Sequence, residues 1–413
     1  MGDERIERAR QEALSILKPT AKELEHGLAL HADALVCESY GFSPRSAADQ
    51  EVIRQALEQG ASAIELQDLS EEMSMTRHVS DAHERERYIE AWEAAGVDCI
   101  LQNAGEESQD PAQVMKRLAR FTYVTDFMRD VVVRAAHPDD IVQAHKEGKR
   151  CLYMSSNGIP LPQRWTSVEE ELGLLKIFFQ LGIRMMHLTY NRRNMIGDGC
   201  AEESNAGLSD FGRAVVREMN RLGIIVDVAH SGEKTSFEAA RLSERPMVAS
   251  HSGARALNDH FRCKSDEVIK AICDTGGYIG VCCIPRFLGR TRDIVALLDH
   301  IDYLVKRFGA DHVAIGTDIA YRSPGPPQSE EQKKNQLPAR PKQRPRWESY
   351  WPASDRAFLV ADPAVKPREG KGLVWTNWPL FTVGMVQRGH ADDDIRKIIG
   401  GNVLRVARAV WPE

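Results

Sequence analysis

The chain has 413 residues, 42% hydrophobic and 28% charged, the proportions of a folded protein that buries a large core without staples. Its 54 Lys and Arg against 60 Asp and Glu give a formal charge of −6, which argues against nucleic acid as the main partner because phosphate binding needs a basic face. No stretch approaches the roughly 18 apolar residues of a membrane span. The charged opening MGDERIERARQEALSILK has no secretory h-region, and the scattered Cys residues include no CxxC, so a cytoplasmic protein with reduced thiols is expected.

Short β-rich apolar runs alternate with longer helical stretches. In chain order the runs are ALHADALV (29–36), ASAIEL (61–66), VDCILQ (97–102), KRCLYM (149–154), IRMMHLTY (183–190), GIIVDVAH (223–230), RPMVASH (245–251), YIGVCC (278–283) and HVAIGTD (312–318). Between them, 168–182, 209–223 and 265–277 carry apolar residues at helical spacing and end in Gly, a stop signal. Strand–helix alternation predicts parallel strands joined by crossover helices, hence an α/β fold of TIM-like (β/α)8 type. A barrel needs eight strands and nine runs are present, so one early run is expected to be an edge hairpin or no strand at all. The whole of 1–413 is expected to form a single barrel domain. Residues 321–372 interrupt the rhythm with nine of the nineteen prolines. They follow a late strand, on the face where barrels build active sites, and read either as a loop insertion or as a lid or dimer contact. The aromatic cluster Trp347, Tyr350 and Trp351 suggests that part of this segment packs. The tail 392–410 reads as an amphipathic helix interrupted by Gly400-Gly401.

His31 and Asp33 lie two apart in the first run, and on a strand would share a face pointing into the barrel mouth. His230 and His251 each end a run and are each followed by Ser and Gly, so two neighbouring strands would present imidazoles at their C-terminal tips. Asp318 ends a later run, where a carboxylate is costly unless it meets a metal or hydrogen bonds. Three His and two Asp on four runs suit a divalent cation with mixed nitrogen and oxygen ligands, zinc first. A metal there would acidify a bound water, and Asp318 could take its proton. His187 and His260 have no clear role, and the remaining His residues read as surface or structural. Ser231 and Ser252 lack a nucleophile elbow and read as supporting residues; no phosphate-binding Gly-rich loop occurs.

The segments LTYNRRN, GLSDFGRAVVREMNRLGIIVDVAHSG, SERPMVASHSGARAL, FRCKSDE, GGYIGV, VAIGTD and IIGGNVLRV resemble the membrane (renal) dipeptidase family of metallohydrolases, over about residues 150–320 and again at 375–406. The resemblance implies a barrel with two zinc ions, a homodimer, and hydrolysis of dipeptides. Carried over, it makes His31 and Asp33 ligands of a first metal and His230 and His251 ligands of a second, with Asp318 acting on the bridging water. Arg262 would grip a substrate carboxylate, as a bidentate guanidinium can.

Two positions depart from the family's pattern. Asn157 stands where a bridging Glu is expected, and Tyr190 where a substrate-contacting His is common. An amide bridges two metals poorly, and losing the Glu charge leaves two dications under-compensated. One ion per chain is therefore expected, two at most. The leading expectation is a hydrolase cleaving an amide in a dipeptide or similar small carboxylate-bearing substrate. A catalytically silent ligand-binding barrel and a metal-dependent lyase or deaminase on the same scaffold are the alternatives.

Overall fold

The structure, a computed structural model, describes residues 3–105, 110–162, 164, 167–325 and 368–412. Its nine strands are β1 (Cys37–Gly41), β2 (Cys99–Asn103), β3 (Val132–Ala135), β4 (Arg150–Ser156), β5 (Met185–His187), β6 (Ile225–Asp227), β7 (Val248–Ser252), β8 (Tyr278–Val281) and β9 (Val313–Ile315). All pair in parallel, in the order β1-β2-β4-β5-β6-β7-β8-β9, with β3 added beside β4. The path of eight strands with helices between them is a nearly closed (β/α)8 barrel, as the alternation of runs predicts. The segment 326–367, with Trp347, Tyr350 and Trp351, lies outside the described residues.

Seven of the nine expected runs contain strands, and the two earliest do not. The run 29–36 is mostly the end of the helix Ala21–Asp33, and 61–66 opens the helix Ala63–Thr76. In each case a capping box decides the matter. Thr20 accepts from the Glu23 N–H while Glu23 returns to the Thr20 N–H, and Ser62 and Glu65 do the same. Two strands take the place of these runs. β3 is the β-branched stretch of DVVVRA, and β1 is the largely polar CESYG, with no alternation to announce it.

The helices named by spacing and caps form close to their expected bounds. Asp210–Leu222 starts at Ser209, whose hydroxyl accepts from the Gly212 N–H, and stops at Gly223 in the left-handed region at φ 81°. The tail is helical over 392–410, with a π turn at Lys397–Gly401. A Cβ on Gly400 would stand 2.8 Å from the Cys37 N, so the glycine lets this helix cross the foot of β1.

The core has two layers. Inside the barrel, Cys37, Cys99, Cys151, Met185, Ile225 and Val248 fill the lower part. The larger apolar layer lies between strands and helices. The eight cysteines are free thiols.

The barrel closes through a buried carboxylate. The Asp318 N–H donates to the Tyr40 carbonyl at 3.3 Å. Glu38, fully buried on β1, accepts from the Thr317 N–H (3.1 Å), from the Thr317 hydroxyl and from Trp375 Nε1 (2.8 Å). It thereby ties the first strand to the last and both to the outer helical layer, while burial pushes its carboxyl up to about 8. Replacing Glu38 by Ala leaves these donors unsatisfied. We expect Glu38→Ala to cost about 2–4 kcal/mol in urea denaturation. Glu38→Gln, which keeps an acceptor, should cost less than half of that, and a loss below about 1 kcal/mol for the alanine variant would contradict the clamp.

Candidate functional site

The barrel's mouth is shaped by two slips in strand register. On β1 the pairing with β2 runs Glu38↔Ile100 and then Gly41↔Gln102, so one residue is inserted; on β7 the pairing with β8 runs Ala249↔Ile279 and then Ser252↔Val281. Regular alternation from Cys37 and Val248 would turn Tyr40 and His251 outward. The extra residue in each strand turns both inward, and their rings stack at 3.9 Å inside the barrel. His187 and Asp227 are register partners on β5 and β6 and share the interior face.

These residues form one buried cluster. His187 Nε2 lies 2.5 Å from Asp227 Oδ2 and 3.3 Å from Ser250 Oγ, and His187 Nδ1 pairs with Asn157 Oδ1. Asp227 Oδ1 accepts from the N–H groups of Ala229 (2.9 Å) and Ser250 (3.1 Å). His230 Nε2 and His251 Nε2 are 2.9 Å apart. His230 Nδ1 pairs with Asn191 Oδ1 at 2.8 Å, and the Tyr190 ring stacks on His230 at 4.1 Å. Arg262, 1% exposed, donates to the Ala229 carbonyl, and through Nη2 to the His251 carbonyl and to His230 Nε2, each at 3.2 Å.

Burial sets the protonation here. Desolvation, reinforced by the Arg262 charge, holds His230 and His251 well below the usual histidine range, so both imidazoles are neutral and keep a lone pair. Asp318 keeps some solvent access, yet desolvation pushes its carboxyl up to about 7, the Arg262 charge working the other way. It sits in the left-handed region at φ 59°, a strained setting for a non-glycine residue of the kind found at functional sites.

His187, Asp227 and His251 each offer a ligand atom, all within 4.8 Å of one another. The buried Asp227 Oδ2 has His187 Nε2 beside it at 2.5 Å, the separation of a buried His–Asp pair. One carboxylate with two imidazoles around it is a donor set that a divalent cation of zinc-like preference takes.

The structure separates the expected ligands. His230, His251, Asn157, Arg262, Tyr190 and Asp318 all belong to the mouth, whereas His31 and Asp33 do not. Both sit on the helix Ala21–Asp33 rather than on a strand. His31 is buried at the N-terminal end of the barrel, its Nε2 3.0 Å from the Ala95 carbonyl and its Nδ1 2.9 Å from Thr382 Oγ1. Asp33 is exposed and pairs with Arg396 at 2.7 Å. At the mouth the first strand turns Tyr40 inward instead. His187, Asp227 and Tyr40 escaped sequence reasoning. Only the common position of His187 and Asp227 inside apolar runs marked them in advance.

Residues 67–331 match the family described as membrane dipeptidase, peptidase family M19. The dipeptidase tcpJ of Claviceps purpurea (strain 20.1) is 27% identical over 293 residues, 70% of this chain and 57% of that protein, so the chain spans little more than half of this curated relative. An amidohydrolase from Pseudomonas aeruginosa superposes with a TM-score of 0.65 at 24% identity, covering 94% of this chain and 99% of its own. The probable dipeptidase PvdM from the same organism gives 0.66 at 20% identity, covering 94% and 98%. At these identities the structural likeness speaks for the fold.

The neutral histidines carry a consequence for stability. Burial lowers His31, His260 and His300 to about 4 and His78 to about 3, besides His230 and His251. Each binds its proton in the unfolded chain near 6.5 and resists it when folded, so its stabilisation is present above that value and is lost as pH falls. The loss reaches about 1.4 kcal/mol per histidine per pH unit. Glu38 and Asp318, raised to about 8 and about 7, act in the opposite sense. Six groups outweigh two, and the chelator-treated protein should lose roughly 2–4 kcal/mol between pH 7.5 and 5.5 in urea denaturation. A flat or rising profile would contradict these assignments.

Proposed function

The chain belongs to the membrane dipeptidase family, and on that premise we propose that it is a metal-dependent hydrolase cleaving the amide bond of a dipeptide or a similar small, carboxylate-bearing substrate. The observation that carries this reading is the convergence of His187, Asp227, His230 and His251 at the C-terminal mouth of the barrel, beside a carboxylate of raised pKa. The names of tcpJ and of PvdM, both dipeptidases, support it.

A bound divalent ion, zinc on this donor set, supplies Lewis acidity to the scissile carbonyl and an acidified water. The chain's own residues do the rest. Neutral imidazoles keep their lone pairs free for a ligand without first releasing a proton. Asp318, at the mouth, is placed to take a proton from the attacking water and to return it to the leaving amine. Arg262 places a fixed positive charge behind His230, which favours a substrate carboxylate at the mouth. Tyr190, stacked on His230, offers a phenol hydroxyl to the reacting group. No described helix is long and apolar enough to cross a membrane. A homodimer and a cytoplasmic location extend the reading on the resemblance and on the free thiols.

Two measurements test it. Dipeptide hydrolysis by the metal-loaded protein should fall on the acid side as Asp318 takes up a proton, at a pH below the about 7 of the metal-free carboxyl, because a nearby dication favours the carboxylate. Asp318→Asn should lower kcat by about 10²–10⁴ with little change in KM. Unchanged turnover in Asp318→Asn or in His251→Ala would remove the assignment.

A further inference from the structure

We infer that the substrate of this site carries two carboxylates, with an acidic residue on the C-terminal side of the scissile amide, and that the buried cations Arg262 and Lys264 together select it. The inference rests on the amide-hydrolase reading above and adds the chemical class of the substrate.

The first ground is a surplus of buried positive charge. Arg262 and Lys264 are each 1% exposed. Among the described residues Arg262 meets neutral groups alone: the Ala229 and His251 carbonyls, His230 Nε2 and the Phe287 ring. Lys264 Nζ donates to the Ser231 carbonyl at 2.7 Å and to Ser236 Oγ at 3.2 Å, and among the described residues it too has no carboxylate in contact. Burial lowers the Lys264 amine only to about 8, so it is charged at neutral pH. A buried charge is costly unless it is paired, and this fold retains two. The carboxylates nearby are engaged elsewhere. Asp227 pairs with His187 at 2.5 Å, while Glu233 pairs with Arg255 at 3.0 Å and accepts from the Ser265 hydroxyl. Asp318, raised to about 7, offsets part of one charge. A bound divalent ion would add to the surplus.

The second ground is where that charge acts. The two cations stand two residues apart after β7, and their heads sit on the Ala229 and Ser231 carbonyls, one on each side of His230. Both charges bear on His230 and on His251, helping to hold those imidazoles neutral. Their field therefore enters the mouth, although Lys264 is too buried to touch a ligand. A dipeptide of neutral residues is a zwitterion and brings no net charge to offset this field, whereas one ending in an acidic residue brings a negative charge. The closeness of the two cations calls for two carboxylates close together, as on a single dicarboxylic residue. Its α-carboxylate answers Arg262 and its side-chain carboxylate answers Lys264. At the effective dielectric of a protein site one such added charge is worth roughly tenfold in affinity.

The test uses the full chain, purified without chelator. Calorimetry compares aspartate with asparagine, two product-like ligands of the same shape that differ by one charge, so no turnover is needed. Aspartate should bind roughly 10-fold more tightly. In Lys264→Met, which keeps the apolar stem, that ratio should fall to about 3 or below, and Lys264→Arg should preserve it. A lysine that merely held the Ser231 turn would weaken both ligands alike, and an unchanged ratio in Lys264→Met overturns its part. Initial rates on glycyl-aspartate and glycyl-asparagine should show the same preference in kcat/KM. Asparagine bound as tightly as aspartate, neither bound at all, or glycyl-asparagine cleaved as fast as glycyl-aspartate would overturn the inference. These comparisons are made on the unaltered chain, so a variant that fails to fold does not blunt them. Preference for aspartate without hydrolysis of any dipeptide would remove the proposed function and leave the selection of a dicarboxylic ligand standing. Hydrolysis without acidic preference would do the reverse.

Discussion

Parallel strands in a barrel must alternate inward and outward side chains, and the contents of this mouth depend on where two strands break that rule. One inserted residue on β1 and one on β7 turn Tyr40 and His251 toward the axis, where regular pairing would face them to the helices. His187 and Asp227 need no such device, because their register on β5 and β6 already points them inward. The site is thus assembled from two regular strands and two bulged ones. The buried Glu38 ties β1 to β9 beside Asp318 and holds the bulged strand in place.

A low-dielectric interior permits few charges, and each of those present has a counterpart or a consequence. Burial keeps His230 and His251 neutral, raises Asp318, and leaves Arg262 as a fixed cation bound to backbone carbonyls. Arg262 therefore spends its donors on joining the ends of β6 and β7, and acts on a substrate chiefly through its field. The same charge bears on His230 and on His251 alike and helps keep both neutral. Function and fold share these residues, so changes in the cluster report on both.

Membership of the family and departure from its pattern are compatible here. The barrel, the imidazoles on β6 and β7 and the carboxylate after β9 persist, while the first strand offers a tyrosine and the end of β4 an asparagine. There Asn157 pairs with His187 and Tyr40 stacks on His251.

Much of this protein was legible in its sequence. Strand–helix alternation from 97 onward determined the parallel barrel, and terminal residues such as Ser209 and Gly223 determined helix bounds, because both signals are local. His230, His251 and Asp318 were visible because each ends an apolar run. His31 and Asp33 were misplaced because a period-2 reading of ALHAD overlooked the Thr20–Glu23 capping box upstream, itself a local signal that winds the segment into a helix. The roles of Tyr40, His187 and Asp227 belonged to the tertiary structure alone. A one-residue bulge reverses a side chain's direction without marking the sequence, and the meeting of His187 with Asp227 and Asn157 depends on strand neighbours that lie 30 and more residues apart in the chain.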